Sequence, residues 1–114
     1  MMMTNVNPIY LKPTRNAYGI IGGIPSSEFS RKSIKEKLKQ HPVAESWPTY
    51  AVVTNSTYDG IFYNAEKLHK LLDVPNLHFD SAWVPYTHFH PVYKGKCGMG
   101  IVPKAKHTIY ETQS

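Results

Sequence analysis

The spacing of apolar residues predicts a loop-rich start followed by a helix. Prolines and glycines interrupt every apolar run between residues 9 and 24, so this stretch is expected to be mostly loop, with room for one short strand. Over residues 26–40 the side chains of Phe29, Ile34 and Leu38 fall on or near one stripe, while lysines occupy the opposite side. That arrangement is typical of an amphipathic helix.

The sequence also suggests where this helix begins and ends. Ser26 and Ser27 are candidates for its N-cap, because a serine hydroxyl can accept a hydrogen bond from a free backbone N–H of the first turn. His41-Pro42 is expected to end it, since the residue before a proline avoids the helical conformation.

A strand, a helix and a second strand are predicted next. Residues 50–54 contain three consecutive apolar residues, which suits a strand buried on both faces of a parallel sheet. Asp59-Gly60 could form a hairpin turn, but the helical pattern that Asn64 can cap over residues 65–72 favours a right-handed crossover to a strand at 76–79. The predicted architecture is therefore α/β, a partial parallel sheet with flanking helices.

Charge and composition narrow the function classes. Thirteen basic and eight acidic residues give a net charge of +5, which raises the possibility of a nucleic-acid-binding module. Most of the excess lies in the run at residues 31–39, where no aromatic residues interleave, so a solvated helix face is the favoured interpretation. The single Cys97 and the lack of a long apolar run predict a cytoplasmic protein with no disulfide and no membrane span.

Two histidines form the first candidate site. In a strand, His88-Phe89-His90 would place both imidazoles on one side, as metal ligands often are. A metal centre would need further ligands, for which His78, His107 and Glu111 are candidates, but their spacing fixes none of them. Surface or packed histidines are the favoured interpretation, and no metal site is predicted.

Two other segments are candidates for a binding site. The glycine-bearing stretch at residues 16–23 could cradle a phosphate, but its spacing matches no phosphate-binding loop and tight turns account for it equally well. At residues 78–83, Asp80 follows the second predicted strand and so would stand at the carboxyl end of a parallel sheet, where ligands bind in such folds. An ordinary capping aspartate is the competing interpretation.

Several motifs resemble a known enzyme family. These are PTRNAYGIIGGIP at 13–25, TNSTYDG at 54–60, HFDSAWVPYT at 78–87, YKGKCGM at 93–99 and IYETQS at 109–114. In this order and spacing they resemble the bacterial ornithine, lysine and arginine decarboxylases, most closely the lysine enzymes, over essentially the whole chain. The histidines at 88 and 90 and the segment 100–108 depart from the usual family pattern.

The resemblance implies that residues 1–114 are a single partial domain, a fragment of the large pyridoxal-phosphate-binding domain of a fold-type-I enzyme. It implies that Asp80 pairs with the pyridine nitrogen of pyridoxal 5'-phosphate, that Ala82 lies against the ring, and that Trp83 helps to hold the ring's hydroxyl edge. Ser114 would help to bind the phosphate. Relatives carry their reactive lysine three residues beyond the position of Ser114, so no catalytic residue is assigned within this chain.

The function implied by the resemblance is that of a lyase, a lysine decarboxylase that converts L-lysine to cadaverine and CO₂, and the substrate of the parent enzyme is L-lysine or a related basic amino acid. In the family this amino-acid metabolism consumes a proton and counters acid stress, and the subunits form homo-oligomers. The isolated chain is expected to be inactive and to bind the cofactor weakly or not at all. A non-catalytic piece that docks on full-length decarboxylase subunits is the main alternative, and the basic nucleic-acid module is less favoured.

Overall fold

The computed structural model describes residues 5–44 and 46–113. The chain divides into two compact units, Met1–Trp47 and Pro48–Ser114. The organisation of residues 1–114 as one partial domain stays a prediction, and each unit is described by itself below. Within the described ranges, no helix has both the length and the apolar character needed to cross a membrane.

A tight hairpin occupies the glycine-bearing stretch of the first unit. The backbone N–H of Thr14 donates to the carbonyl of Gly23 at 3.0 Å, and that of Asn16 donates to Ile20 at 3.1 Å. Gly19, at the tip, has a φ of +80°, a conformation that glycine adopts without steric cost. The glycines at residues 16–23 thus serve a turn, as one of the two interpretations of the sequence holds.

The first helix, α1, spans Arg31–Gln40 and ends before His41-Pro42 as expected. Its cap differs from the prediction, because Ser26 and Ser27 lie in a separate 3-10 turn over Ser26–Phe29. Ser30 separates the two helical segments in an extended conformation, and its hydroxyl accepts a hydrogen bond from the N–H of Ser33 at 3.2 Å. Ser30, where the backbone changes direction, is therefore the N-cap of α1.

Two interactions hold α1 within the first unit. Phe29 and Ile34 are buried, with 2% and 3% exposure, so the apolar stripe predicted from the sequence is the packed side. Glu28 accepts a hydrogen bond from the backbone N–H of Lys12 and forms an ion pair with Lys37 at 3.0 Å. The Lys12 hydrogen bond and the Lys37 ammonium lower the pKa of Glu28.

Three parallel strands and one α-helix form the frame of the second unit. The strands are β1 at Tyr50–Thr54, β2 at Asn76–Asp80 and β3 at Thr108–Thr112, in that order across the sheet. Helix α2, at Ala65–Leu71, connects β1 to β2. Asn64 is its N-cap, and the side-chain oxygen of Asn64 accepts a hydrogen bond from the N–H of Lys67 at 2.8 Å. The parallel pairing confirms the crossover and excludes a β-hairpin at Asp59-Gly60.

The two faces of the sheet are unequally covered. Val53, Leu77 and Phe79 are buried on one face, whereas Tyr50 and Val52 on the other are 50% and 55% exposed. Burial of β1 on both faces, expected from its apolar run, is therefore wrong for this chain. The reason is that the described part of this unit contains a single α-helix, and one layer can cover one face only.

The third strand was not predicted. Residues 108–112 lack an apolar run, and their exposed and half-buried side chains alternate along the strand. Ile109 lies on the covered side, together with Glu111, a charged residue that weakens the apolar signal of so short a strand. Its pairing with β2 makes β2 the central strand, flanked on both sides.

The cap of α1 generates a prediction. Replacing Ser30 by alanine should lower the free energy of unfolding by about 1 kcal/mol, because the N–H of Ser33 loses its acceptor. The matched change Ser26→Ala removes an exposed hydroxyl that caps no α-helix and should have little effect. Urea unfolding followed by circular dichroism measures both, and a larger loss for Ser26→Ala would contradict this placement of the cap.

Candidate functional site

The candidate site lies at the carboxyl edge of the sheet, where three strands end level with one another. Asp80 is the last residue of the central strand, and the strand register places it between Thr54 of β1 and Thr112 of β3. Its placement at a strand end is the one expected from the sequence. The carboxylate is half-buried, and no described residue donates a hydrogen bond to it.

Residues just beyond Asp80 continue the same edge. Ser81 is fully buried, its backbone N–H donates to Thr112 at 2.9 Å, and its hydroxyl oxygen has no hydrogen-bond partner among the described residues. Ala82 is half-buried. The ring of Trp83 is 62% exposed and meets that of Tyr58 edge to face, with centroids 5.7 Å apart.

Three of the four residues implied by the resemblance lie at or just beyond the carboxyl edge of the sheet. They are Asp80, Ala82 and Trp83. The fourth, Ser114, lies outside the described residues. Their roles toward a cofactor stay predictions. The carboxylate of Asp80 and the hydroxyl of Ser81 both have unused hydrogen-bonding capacity among the described residues at this edge.

A line of hydrogen bonds crosses the open face of the sheet behind Asp80. The hydroxyl of Tyr50 lies 2.6 Å from Nδ1 of His78, and Nε2 of His78 contacts the hydroxyl of Thr112. This line connects all three strands. The Thr112 hydroxyl contacts the imidazole, and among the described residues it forms no hydrogen bond with the neighbouring carboxylate of Asp80.

Asn55 stabilises this edge of the sheet through buried hydrogen bonds. Reasoning from the sequence did not identify it. Its side chain is fully buried, donating from Nδ2 to the carbonyl of Lys96 at 2.7 Å and accepting at Oδ1 from the N–H of Tyr63 at 3.0 Å. Its backbone N–H donates to the carbonyl of Asp80 at 2.7 Å. The signal was an amide directly after an apolar strand, where the backbone groups of incoming loops need partners.

The covered side beneath the edge is tightly packed around Cys97. Its thiol lies 3.3 and 3.5 Å from the two carboxylate oxygens of Glu111. A Cβ at the next residue, Gly98, would stand 2.8 Å from Cδ2 of Phe79, so only glycine fits there without movement. Burial raises the pKa of the Cys97 thiol, and the negative charge of Glu111 adds to the rise.

His88 and His90 do not form the strand pair that would share a side. His88 lies in a 3-10 turn over Pro85–Phe89, and His90 follows it as the cap of the next turn, with its Nδ1 accepting from the N–H of Val92. Both are exposed and border a groove of about 390 Å³ with Lys94. In residues 5–44 and 46–113, no group of three or more histidine, cysteine or acidic side chains is arranged to hold a metal ion.

The buried amide of Asn55 generates a prediction about stability. Asn55→Ala should lower the free energy of unfolding by about 2 kcal/mol or more, because the carbonyl of Lys96 and the N–H of Tyr63 lose their partners in a buried place. Asn76→Ala is the control, since it removes a single exposed hydrogen bond to Thr49. Urea unfolding curves of the two variants compare them, and equal losses would contradict the supporting role of Asn55.

The buried thiol generates a second prediction. Since its raised pKa keeps Cys97 protonated, iodoacetamide at about pH 8 should alkylate it at least about tenfold more slowly in the native protein than in urea. Glu111→Gln removes the adjacent negative charge and should speed the native reaction. Equal native and unfolded rates, followed by mass spectrometry, would show that the thiol is neither buried nor held in its neutral form.

Comparisons with known proteins agree with this geometry. The sequence model of a family described as Orn/Lys/Arg decarboxylase, major domain, matches residues 1–114. Lysine decarboxylase of Hafnia alvei is 65% identical over 114 residues, covering 100% of this chain and 15% of its own length. The inducible lysine decarboxylase of Escherichia coli K12 is 59% identical over 114 residues, again covering the whole chain and 16% of the relative.

A solved structure shares the fold. The crystal structure of the lysine decarboxylase LdcF of Francisella novicida superposes with a TM-score of 0.92 at 64% identity, over 96% of this chain and 15% of that one. This likeness confirms the α/β fold expected from the sequence. The chain spans about 15% of the length of these relatives, and it belongs to the Orn/Lys/Arg decarboxylase family, within the part described as the major domain.

Proposed function

We propose that this chain forms one wall of the cofactor site of a pyridoxal-phosphate-dependent lysine decarboxylase. The observation that carries the proposal is the carboxylate of Asp80 at the carboxyl edge of the central parallel strand, without a hydrogen-bond donor among the described residues. Since the chain corresponds to about 15% of its relatives, the activity proposed is that of a longer protein that includes these residues.

The residues at this edge fit the proposed cofactor. A protonated pyridine nitrogen is a cationic donor, and an ionised carboxylate with free acceptor capacity is its natural partner, because charge-assisted hydrogen bonds are the strong ones. Asp80 offers such a carboxylate, and the main-chain hydrogen bond from Asn55 to its carbonyl holds the backbone that carries it. The buried Ser81 hydroxyl offers one more polar group that still lacks a partner.

Asp80 would act by keeping the pyridine nitrogen of the cofactor protonated. When bound, pyridoxal phosphate supplies a ring that accepts the electron pair left behind as the α-carboxylate departs as CO₂. The negative charge of Asp80 favours the protonated form of the ring nitrogen, and it does so from a strand end that does not have to reorganise during the reaction.

The neighbouring residues would shape and anchor the cofactor. Ala82 has a side chain small enough to let a flat ring approach closely, and Trp83, largely exposed in this chain, would help to hold the edge that bears the ring hydroxyl. Ser114 would help to bind the phosphate. These three assignments rest on the position of each residue after β2 or β3 and on the family to which the chain belongs.

The proposed substrate is L-lysine, because the two curated relatives and the solved structure described above are named lysine decarboxylases. The products are cadaverine and CO₂, and the reaction takes up one proton for each lysine, which supports a role in resistance to acid in the cytoplasm. We also propose that the complete protein is a homo-oligomer. The open face of the sheet, with Tyr50 and Val52 exposed, is left for other parts of the longer protein or of this assembly to cover.

The decisive experiment grafts these 114 residues into a complete enzyme. In the Hafnia alvei lysine decarboxylase, the 65% identical segment is replaced by this chain, and release of CO₂ from L-lysine is measured. The graft should be active. Asp80→Asn in the graft should lower kcat by about 100-fold or more, since a preorganised charge next to the reacting system is lost.

Asp59→Asn is the matched control, because it removes a carboxylate from an exposed loop of the same unit and should leave kcat unchanged. Bound cofactor is measured in parallel by its visible absorbance, so that loss of binding is distinguished from loss of turnover. An active graft in which Asp80→Asn and Asp59→Asn behave alike would refute the role proposed for Asp80. A folded but inactive graft would refute the assignment of this chain to a lysine decarboxylase.

A further inference from the structure

Two histidines, the buried His69 and the half-buried His107, lie away from the candidate site, between α2 and the loop that leads into β3. His69, on α2, is 2% exposed, and its Nε2 lies 3.1 Å from the backbone nitrogen of Lys104. A backbone N–H can only donate, so Nε2 of His69 must carry the free lone pair. The ring proton of a neutral His69 is therefore on Nδ1, which is buried and has no described hydrogen-bond partner.

His107 is the neighbour of His69 in this cluster. Its Nε2 lies 3.8 Å from a carboxylate oxygen of Asp73, which is too long for a hydrogen bond. Its Nδ1 atom is buried without a described hydrogen-bond partner. The two rings meet edge to face with centroids 5.6 Å apart.

His69 therefore holds the loop through its Nε2, and its ring packs edge to face against that of His107. We propose that His69 and His107 form an acid-sensitive clasp that holds the loop of residues 101–107, and with it the start of β3, against helix α2. The Nε2 of His69 can accept the hydrogen bond from Lys104 only while the His69 ring is neutral.

The charges around the clasp favour its neutral form. Lys104 and His107 face His69 from the loop, and Lys70 and Asp73 face it from the end of α2. Burial is the main cause that lowers the pKa of His69, and the charge of Lys104 is the next, with Asp73 opposing them. A folded pKa below the ordinary value of about 6.5 means that this stabilisation is complete above that pH and is lost as the pH falls toward the folded pKa.

Protonation of His69 would open the clasp at one defined bond. Its Nε2 would then carry a hydrogen that points at the N–H of Lys104, so the hydrogen bond between helix and loop could not persist. The ion pair of Lys104 with Asp73, at 3.7 Å, is exposed and would hold the loop only weakly. Since β3 begins directly after His107, acid would loosen the strand that flanks Asp80.

Hydrogen exchange in the grafted decarboxylase subunit tests the clasp without reference to activity. Amide exchange of residues 101–107, corrected for its intrinsic pH dependence, is followed by mass spectrometry between about pH 7.5 and about pH 5. Exchange should rise by up to about tenfold per pH unit below about pH 6.5. In His69→Gln, a side-chain amide oxygen can replace Nε2 as acceptor and cannot be protonated, so the rise should disappear.

Two further variants complete the test. His88→Gln removes an exposed histidine of the same unit and should behave as the unaltered chain does. Asp73→Asn removes the one negative charge that opposes the lowered pKa, so the rise should still begin at about pH 6.5 but should continue to a lower pH and reach a larger total, and it decides the matter if His69→Gln does not fold. A flat pH profile in the unaltered chain, an unchanged rise in His69→Gln, or a rise in Asp73→Asn that levels off at the same pH as in the unaltered chain would each overturn the clasp.

Discussion

The parallel pairing of β2 with a strand on each side is the constraint on which the rest of the second unit depends. It brings the ends of three strands to one edge and sets Asp80 between Thr54 and Thr112. Parallel strands need long connections, and here the connections supply both helix α2 and the loop that Asn55 anchors. The position of one carboxylate thus follows from the pairing of fifteen residues that are distant in sequence.

Local pattern was enough to predict the elements whose signal is confined to neighbouring residues. The bounds of β1 and the Asn64 cap of α2 agree with the structure because an apolar run and a capping amide act within a few positions. The start of α1 differed, since three serines close together offer equal caps by local rules and only the chain direction selects Ser30. Strand β3 was missed because its stability comes from its partner β2 and not from its own composition.

The candidate site shows the same division. Asp80 could be assigned to a sheet edge from its position after an apolar run, and the motifs around it placed the chain in its family. Asn55 could not be identified, because its value lies in two backbone groups, of Lys96 and Tyr63, that tertiary folding brings to it. His88 and His90 suggested a shared face only on the assumption of a strand, and the prolines at 85 and 91 favour turns instead.

The hydrogen-bonded line from Tyr50 through His78 to Thr112 has a consequence for the accuracy of strand pairing. Side chains alternate between faces, so sliding β3 by one residue would carry the Thr112 hydroxyl away from His78 and turn Glu111 onto the open face in its place. A polar strand with few apolar side chains has little else to distinguish the correct alignment from its neighbours. These hydrogen bonds therefore stabilise the one register in which the last residue of β3 lies beside Asp80.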